Sequence, residues 1–183
     1  MIKYEKYSKT TYLILIALFA ALTGICSWIS IPLPFTPVPI ALATLVPTLA
    51  GGLLGPRYGT ISMVVYLLLG GIGAPVFHNF TGGLGILAGP TGGYLVGYIT
   101  SALICGLILS LREREKERWL TVAEAAILGH ISCYVLGTGW FMLSTGTGLI
   151  SALVLCVIPF LVGDALKLIL SVLLIKKLRP LLV

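Results

Sequence analysis

The stretch Leu149-Ile-Ser-Ala-Leu-Val-Leu-Cys-Val-Ile-Pro-Phe-Leu-Val-Gly-Asp-Ala-Leu-Lys-Leu-Ile-Leu-Ser-Val-Leu-Leu-Ile175 decides the fold class of this chain. It is longer than the about 20 apolar residues that an α-helix needs to cross a lipid bilayer. Only two of its side chains are charged, those of Asp164 and Lys167. The stretch therefore predicts a membrane-spanning helix that carries a charged pair.

Asp164 and Lys167 need a physical reason to lie within such a helix. A charged side chain near the bilayer centre costs about 2.5–3.5 kcal/mol even on the lenient insertion scales. Residues three apart share one face of a helix, so both side chains point to the same side. Intramembrane charges usually mark ligand or ion pathways, which makes this face a candidate functional site.

The composition of the whole chain indicates an integral membrane protein. Hydrophobic residues make up 58% of the 183 residues and charged residues only 10%, against about 25% charged residues in a typical soluble domain. Apolar segments take up nearly the whole chain, which predicts a single membrane domain over residues 1–183. The net charge of +6 comes from basic residues at the ends of apolar segments, unlike a nucleic-acid-binding surface.

Six apolar segments predict an all-α integral membrane protein with six transmembrane helices. The second and third segments are short and joined by a tight turn at residues 55–57, which predicts a helical hairpin. The first segment follows three lysines but lacks a convincing cleavage site, so we interpret it as a retained span. The predicted spans are roughly Thr11–Ser30, Pro39–Gly55, Tyr58–Gly73, Gly92–Leu111, Val122–Leu143 and Leu149–Ile175.

The basic residues fall on one side of this six-span topology. The loops on the other side, residues 31–38, 74–91 and 144–148, contain no Lys, Arg, Asp or Glu. Cytoplasmic loops carry an excess of Lys and Arg, so both termini are predicted to be cytoplasmic in a multi-pass protein of the cell (plasma) membrane. The mixed-sign run 112–118 is interpreted as a solvated turn. The basic residues are Lys3, Lys6, Lys9, Arg57, Arg112, Arg114, Lys116, Arg118, Lys176, Lys177 and Arg179.

Two of the uncharged loops differ in composition from ordinary flexible connecting loops. Residues 31–39 contain four prolines, which fix φ, remove backbone donors and predict a stiff, extended segment that cannot join a helix. Residues 74–91 are too apolar for a free aqueous loop and too rich in glycine for a good helix. Irregular backbone at membrane depth is tolerated where it lines a cavity. The sequence therefore predicts a re-entrant or lid-like external loop between the third and fourth helices.

Several classes of chemistry are not indicated. The glycine clusters near residues 82–93 are not followed by Gly-Lys-Ser/Thr, so no phosphate-binding loop is expected. His78 and His130 do not form a metal-binding motif. There is no Gly-x-Ser-x-Gly nucleophile motif. We therefore expect neither an enzyme nor a metal site. The four single cysteines, Cys26, Cys105, Cys133 and Cys156, are interpreted as packing residues.

Asp164 and Lys167 could serve a ligand or serve only the structure. A carboxylate accepts hydrogen bonds and an ammonium donates three, which suits a ligand with both kinds of polar group. The alternative is a structural ion pair between helices, or a Lys167 side chain extended towards the cytoplasm. We favour the ligand role because intramembrane charges that line cavities commonly mark ligand pathways.

Further candidates lie in the outer loops and near the ends of the helices. Asn79 could meet a ligand or bond its own backbone in a turn. Tyr94 and Tyr98 share one helix face and could reach a pocket. Trp28 and Trp140 are interpreted as interfacial belt residues in preference to ligand contacts.

The first span also carries small residues at four-residue spacing. Ala17 and Ala21 make a smooth stripe on this helix and are flanked by Ala20 and Gly24. Such a stripe favours close helix contact, which could be internal packing or docking of another membrane protein.

Three motifs carry a resemblance to a known family. The segments Gly52-Leu-Leu-Gly55, Tyr66-Leu-Leu-Leu-Gly-Gly-Ile-Gly-Ala-Pro-Val-Phe77 and Gly89-Pro-Thr-Gly-Gly-Tyr94 resemble those of the BioY family. Members of that family are the biotin-binding S components of energy-coupling-factor (ECF) vitamin transporters. The resemblance covers essentially the whole chain, from the proline-rich first loop to the span with Asp164 and Lys167.

The resemblance implies a six-helix protein that binds biotin near the outer face of the membrane. It implies association with a transmembrane coupling subunit and two cytoplasmic ATPases, with ATP bound only on those partners and no cofactor in this chain. The stripe of Ala17 and Ala21 would face the coupling subunit. Biotin contacts would fall on Asn79, Asp164 and Lys167, with Gly89, Thr91, Gly92, Gly93, Tyr98 and Phe35 nearby.

The chemistry of biotin agrees with this set of side chains. Asp164 can accept from the ureido N–H groups, and Lys167 or Asn79 can donate to the ureido carbonyl or to the carboxylate tail. Two alternatives remain open on the sequence alone. One is an S component for another small carboxylated heterocycle, and the other is a proton- or sodium-coupled carrier in which Asp164 titrates.

Overall fold

A computed structural model describes residues 8–112 and 119–182 of the chain. The predicted cytoplasmic residues Lys3, Lys6, Arg114, Lys116 and Arg118 lie outside the described residues. Within the described part, five helical segments are long and apolar enough to cross a membrane. These segments are Lys9–Trp28, Leu42–Gly71, Gly92–Leu111, Trp119–Thr145 and Leu149–Pro180.

The described elements are seven helices and two strands, with single 3₁₀ turns between some of them. The helices are α1 (Lys9–Trp28), α2 (Leu45–Gly71), α3 (Leu84–Ala88), α4 (Gly92–Leu111), α5 (Trp119–Thr145), α6 (Leu149–Cys156) and α7 (Leu161–Leu182). The strands are β1 (Ser30–Leu33) and β2 (Thr36–Ala41), and the 3₁₀ turns are Leu42–Thr44, His78–Phe80 and Ile158–Phe160.

Helix α2 reverses direction at Gly55. This residue has a φ of 77°, a value that glycine adopts without steric cost. A Cβ atom on Gly59 would lie 2.6 Å from the carbonyl oxygen of Ala50, whereas nine residues of straight helix would separate these positions by about 13 Å. The two arms of α2, residues 45–54 and 56–71, therefore pack against each other as a helical hairpin.

Glycines let α4 approach both α2 and α5 closely. A Cβ atom on Gly106 would lie 2.5 Å from the backbone nitrogen of Pro56. On the other side of α4, a Cβ atom on Gly97 would lie 2.9 Å from the Cα atom of Cys133 in α5. Small residues allow such backbone contact between helices. Helix α4 is therefore packed between α2 and α5.

Helix α1 runs beside the second arm of α2. The rings of Tyr12 and Tyr58 stack with their centroids 4.0 Å apart, and at the other end the hydroxyls of Ser27 and Tyr66 lie 2.7 Å apart. The inner face of α1 includes the buried Ala20 and Gly24, and a Cβ atom on Gly24 would lie 3.5 Å from the Cβ atom of Val76 in the loop that follows α2.

The proline-rich segment forms a two-stranded antiparallel ribbon. The pairs Ser30–Ala41 and Leu33–Thr36 define its register around a turn at residues 34–35. Both strands of a two-stranded ribbon are edge strands, where proline is tolerated because fewer backbone donors are needed. The all-α prediction is therefore corrected to a mostly helical protein that includes this ribbon. The helix predicted to begin near Pro39 begins at Leu45, after the 3₁₀ turn.

The loop of residues 72–91, named the outer loop after the side of the membrane predicted for it, contains two short helical pieces and is fixed at several points. Phe77 has no exposed surface and packs against Gly70, where any Cβ atom would collide with its ring. Trp28 donates its indole N–H to the carbonyl of Pro75 (2.8 Å), and Trp140 donates to the carbonyl of Gly89 (3.0 Å). Both tryptophans are partly exposed, and both hold this loop.

The last predicted helix is broken between α6 and α7. Helix α6 ends at Cys156, and α7 begins at Leu161. Pro159 lies in the 3₁₀ turn between them and has no backbone N–H to continue a helix. The predicted continuous helix is thus corrected to two helices, α6 and α7. Because of this break, Asp164 lies in the first turn of α7, where the helix dipole favours a negative charge.

Basic side chains gather at the end of the bundle that contains the Gly55 turn. Arg112 pairs with Glu124 at 2.5 Å, and Arg179 donates to the carbonyl of Leu109 (3.5 Å). The ammonium of Lys176 lies 5.4 Å from the ring centroid of Trp119. The ribbon and the outer loop lie at the opposite end.

Candidate functional site

A cavity lies between the ribbon, the outer loop and helices α4, α5 and α7. Its walls combine apolar and aromatic side chains with a few convergent polar groups, the usual composition of a small-molecule site. The lining residues are Ser27, Val38, Pro39, Ala41, Thr44, His78, Thr91, Tyr94, Leu95, Tyr98, His130, Cys133, Tyr134, Cys156, Phe160, Asp164 and Lys167.

Asp164 and Lys167 meet directly at this cavity. Lys167 Nζ donates to Asp164 Oδ1 at 2.5 Å, as their spacing on α7 allows. Their side chains are only 11% and 7% exposed for Lys167 and Asp164 respectively. Charged side chains are rarely so buried unless they are paired. The two charges therefore form a standing pair in this arrangement.

The end of the ribbon holds the ammonium of Lys167. Nζ donates to the carbonyl of Ala41 at 2.7 Å and to Thr44 Oγ1 at 3.0 Å. Together with the bond to Asp164, these contacts engage all three hydrogens of the ammonium. The last residue of β2 and the 3₁₀ turn that follows it thus place one acceptor each against α7.

Helix α5 supplies the donors to the other oxygen of Asp164. His130 Nε2 lies 3.1 Å from Oδ2, and the hydroxyl of Tyr134 donates to the same atom. The two side chains are one helical turn apart, and their rings make an edge contact with centroids 5.1 Å apart. The carboxylate is therefore held by donors from α5 and α7, with the Thr44 hydroxyl 3.4 Å from Oδ1.

Tyrosines form the wall of the cavity on the side of α4. The hydroxyl of Tyr94 donates to the carbonyl of Cys156 (3.2 Å) and lies 3.2 Å from the hydroxyl of Thr138. Tyr98 is buried and stacks on Tyr66 with ring centroids 6.3 Å apart. These tyrosines give the cavity a largely apolar wall.

The outer loop contributes His78 to the cavity. Burial lowers the pKa of this imidazole, so the ring is neutral at pH 7 and can both donate and accept. Its neighbour Asn79 is exposed and has a φ of 53°, the left-handed conformation that asparagine tolerates better than most residues.

The residues singled out from the sequence divide into two groups. Those that line the cavity are Asp164, Lys167, Tyr94, Tyr98 and Thr91. The others are placed elsewhere: Asn79 is in the exposed part of the outer loop, Phe35 is 56% exposed at the ribbon turn, the Gly89 carbonyl accepts from Trp140, and Gly92 and Gly93 pack against Leu87 and Trp140.

Five polar residues of the cavity were not proposed as ligand contacts: His130, Tyr134, Thr44, Ser27 and His78. A signal existed for the first two, because they lie four residues apart in an apolar span and polar groups within membranes are commonly functional. No signal existed for Thr44, since only the folded ribbon brings its hydroxyl to Lys167.

The arrangement suits non-covalent recognition of a small polar ligand. It offers a carboxylate, an ammonium, several hydroxyls and aromatic surfaces around one cavity. Among residues 8–112 and 119–182, no group of three or more His, Cys, Asp or Glu is placed to hold a metal ion.

Known proteins resemble the chain in both sequence and fold. Residues 3–183 match the BioY family. The biotin transporter BioY of Thermotoga maritima is 40% identical over 170 residues, which cover 92% of this chain and 96% of that protein. The probable biotin transporter BioY of Pyrococcus horikoshii is 37% identical over 165 residues, which cover 90% and 94%. A crystal structure at 2.1 Å of the S component for biotin from an ECF-type ABC transporter matches with a TM-score of 0.87 and 32% identity, covering 94% of this chain and 92% of that chain.

Proposed function

The chain belongs to the BioY family, and from this premise we propose that it is the substrate-specific membrane subunit of a biotin transporter. It binds biotin from the outside and delivers it inward together with an ECF ATPase module. The observation that carries the proposal is the buried Asp164–Lys167 pair at the cavity, in a fold that matches a biotin S component.

The ureido ring of biotin meets the charged pair. Asp164 accepts from a ureido N–H, and the ammonium of Lys167 faces the ureido carbonyl. Because Nζ and Oδ1 are only 2.5 Å apart, both groups serve the same end of the ligand. The apolar bicycle packs against the tyrosine wall, and the carboxylate tail points towards the outer loop, where Asn79 donates to it.

The affinity required is within reach of such a site. Nanomolar binding corresponds to about 12 kcal/mol, which is about 0.8 kcal/mol for each of the ~16 heavy atoms of biotin, below the ceiling of about 1.5 kcal/mol per atom for small ligands. The outer loop, held by Trp28 and Trp140, keeps water from the bound ligand.

The membrane topology has six crossings, with the two arms of α2 as separate spans. Both termini lie in the cytoplasm, because the described basic residues gather at the Gly55 end of the bundle and the outer loop carries no Lys, Arg, Asp or Glu. The outer loop lies on the external side of the plasma membrane and acts as a lid over the cavity.

The partners are a transmembrane coupling subunit and two cytoplasmic ATPases. Ala17 and Ala21 are exposed on the outward face of α1, where small side chains allow close approach of another membrane helix. ATP is bound by the partner subunits, and this chain needs no cofactor of its own.

Isothermal calorimetry of the purified protein tests the proposal. Biotin is expected to bind tightly, and lipoic acid, a sulfur-containing acid without a ureido group, is expected not to bind. Biotin amide should retain most of the affinity, because the charged pair meets the ureido end. Tight binding of lipoic acid, or no binding of biotin, would contradict the proposed substrate.

A further inference from the structure

Protein donors surround the carboxylate of Asp164 on every side. Oδ1 accepts from Lys167 Nζ at 2.5 Å and lies 3.4 Å from Thr44 Oγ1. Oδ2 accepts from the hydroxyl of Tyr134 and lies 3.1 Å from His130 Nε2. A carboxylate has about four acceptor positions, and each of them faces one of these donors. A ligand N–H can therefore bond to Asp164 only if it replaces one of them.

Three of the four donors are held by other contacts. Lys167 also donates to the carbonyl of Ala41 and to Thr44, so neither Lys167 nor Thr44 can leave without breaking a second charge-assisted bond. His130 is only 5% exposed, so its imidazole has little room to move away from Asp164. Replacing any of these three donors would disturb the buried cluster.

Tyr134 differs from Lys167 and Thr44 because its side chain also borders a groove of about 620 Å³ between α5 and the α6–α7 segment. His130 and Asp164 border the same groove, but His130 is buried, whereas Tyr134 is only partly buried. The groove walls include Ile131, Leu153 and Leu161. A phenol ring that turned into this groove would stay among apolar side chains while its hydroxyl left Asp164.

We propose that Tyr134 is the exchangeable donor of the site, whose hydroxyl occupies the position on Asp164 Oδ2 that a ligand N–H takes. The inference rests on the proposed function, since biotin supplies the N–H. Entry of the ureido ring displaces the hydroxyl, and the Tyr134 ring moves towards the groove. The Lys167–Asp164 pair and the His130 contact remain in place. Tyr134 thus makes the site selective for ligands that bring a donor of their own.

Removing the hydroxyl of Tyr134 should affect biotin affinity in the opposite direction to removing an ordinary ligand contact. Removing the hydroxyl frees one acceptor position and leaves the ring volume unchanged, so Y134F should bind biotin about tenfold more tightly than the wild type. The gain should vanish for a biotin analogue methylated on both ureido nitrogens, which brings no donor. Affinity is measured by competition against labelled biotin.

The matched control is Y94F, which removes another tyrosine hydroxyl of the cavity that bonds to Cys156 and Thr138 rather than to Asp164. It should not tighten binding. Unchanged or weaker biotin binding by Y134F, or an equal gain in affinity for the dimethylated analogue, would contradict the proposed exchange at Asp164. If the wild type fails to bind biotin, the proposed function fails instead.

A second measurement tests the proposed displacement in case the Y134F variant does not fold. 3-Fluorotyrosine placed at position 134 of the otherwise unchanged protein reports the ring environment by fluorine NMR. Biotin should shift this resonance because the ring leaves the carboxylate, and the resonance of 3-fluorotyrosine at position 94 should move less. A position-134 resonance that does not change when biotin is bound would refute the displacement.

Discussion

The Asp164–Lys167 pair and its neighbours lower the cost of keeping two charges inside an apolar bundle. Burying an ion pair is not stabilising by itself, because desolvation offsets the attraction unless the remaining donors and acceptors are also satisfied. Here the ammonium has three acceptors and the carboxylate has donors on both oxygens. The cluster is thus a pre-organised polar surface in which, on the proposed exchange, only the Tyr134 side chain moves when a ligand binds.

The variant D164A should weaken biotin binding by at least tenfold. It removes the acceptor of the ureido N–H and leaves the Lys167 ammonium without its anion. Calorimetry on monodisperse protein measures the loss. The control is E124Q, which changes the other acidic residue among those described, at the opposite end of the bundle, and should bind as the wild type does. Wild-type affinity in D164A would contradict the ligand role of the carboxylate.

The sequence alone could predict a contact between two side chains where both belong to the same helix. The i, i+3 spacing of Asp164 and Lys167 fixes their contact within one helix, so their pairing could be predicted. The contacts of Asp164 with His130 and of Lys167 with Thr44 join different elements and follow only from the fold. The break at Pro159, which places Asp164 in the first turn of α7, could have been anticipated from the lack of a proline N–H.

At the scale of elements, the ribbon and the outer loop close the cavity by different means. The ribbon is joined to α7 through the bonds of Lys167 to Ala41 and Thr44. The outer loop is held near its two ends by the indole donors of Trp28 and Trp140, and beside the first of these contacts by the buried Phe77. In the proposed function this loop covers the bound ligand, so release of the ligand requires movement of the loop.

The variant W28F should release biotin several-fold faster. Phenylalanine retains an aromatic ring beside Phe80, whose ring stacks on Trp28, but it removes the donor to the carbonyl of Pro75, so the lid opens more often. Dissociation of labelled biotin from purified protein measures the rate. W119F, at the end of the bundle far from the loop, is the matched control and should leave the rate unchanged. Equal rates in W28F and the wild type would show that this bond does not limit opening.

Elements with a strong apolar or glycine pattern could be predicted better than those whose structure depends on pairing. The reversal at residues 55–57 has a local cause in Gly55 and Pro56 and was predicted as a hairpin. The ribbon was predicted only as an extended segment, because proline excludes helix but does not specify a partner strand. The roles of Trp28 and Trp140 in holding the loop depend on carbonyl positions that no sequence pattern encodes.

At the scale of the whole molecule, α1 presents two different faces. Its inner face carries the buried Ala20 and Gly24, which meet the second arm of α2 and the outer loop. Ala17 and Ala21 lie on the outward face together with Leu13 and Leu18, which are more than half exposed. Small residues therefore serve packing on one side of this helix and leave a shallow surface on the other.

The outward alanines lead to a prediction that separates ligand binding from assembly. A17W places a large ring on the outward face of α1, away from the cavity, so biotin affinity should stay within about twofold of the wild type. The ring should prevent the coupling subunit from approaching the helix, and copurification with the coupling subunit and ATPases should fall at least tenfold. I150W, which adds the same ring at a 79% exposed position of α6, should assemble normally. Normal assembly of A17W would refute α1 as the docking surface. An equal loss of assembly in I150W would also refute it, because a general effect of a bulky side chain on the membrane-facing side would then explain the result equally well.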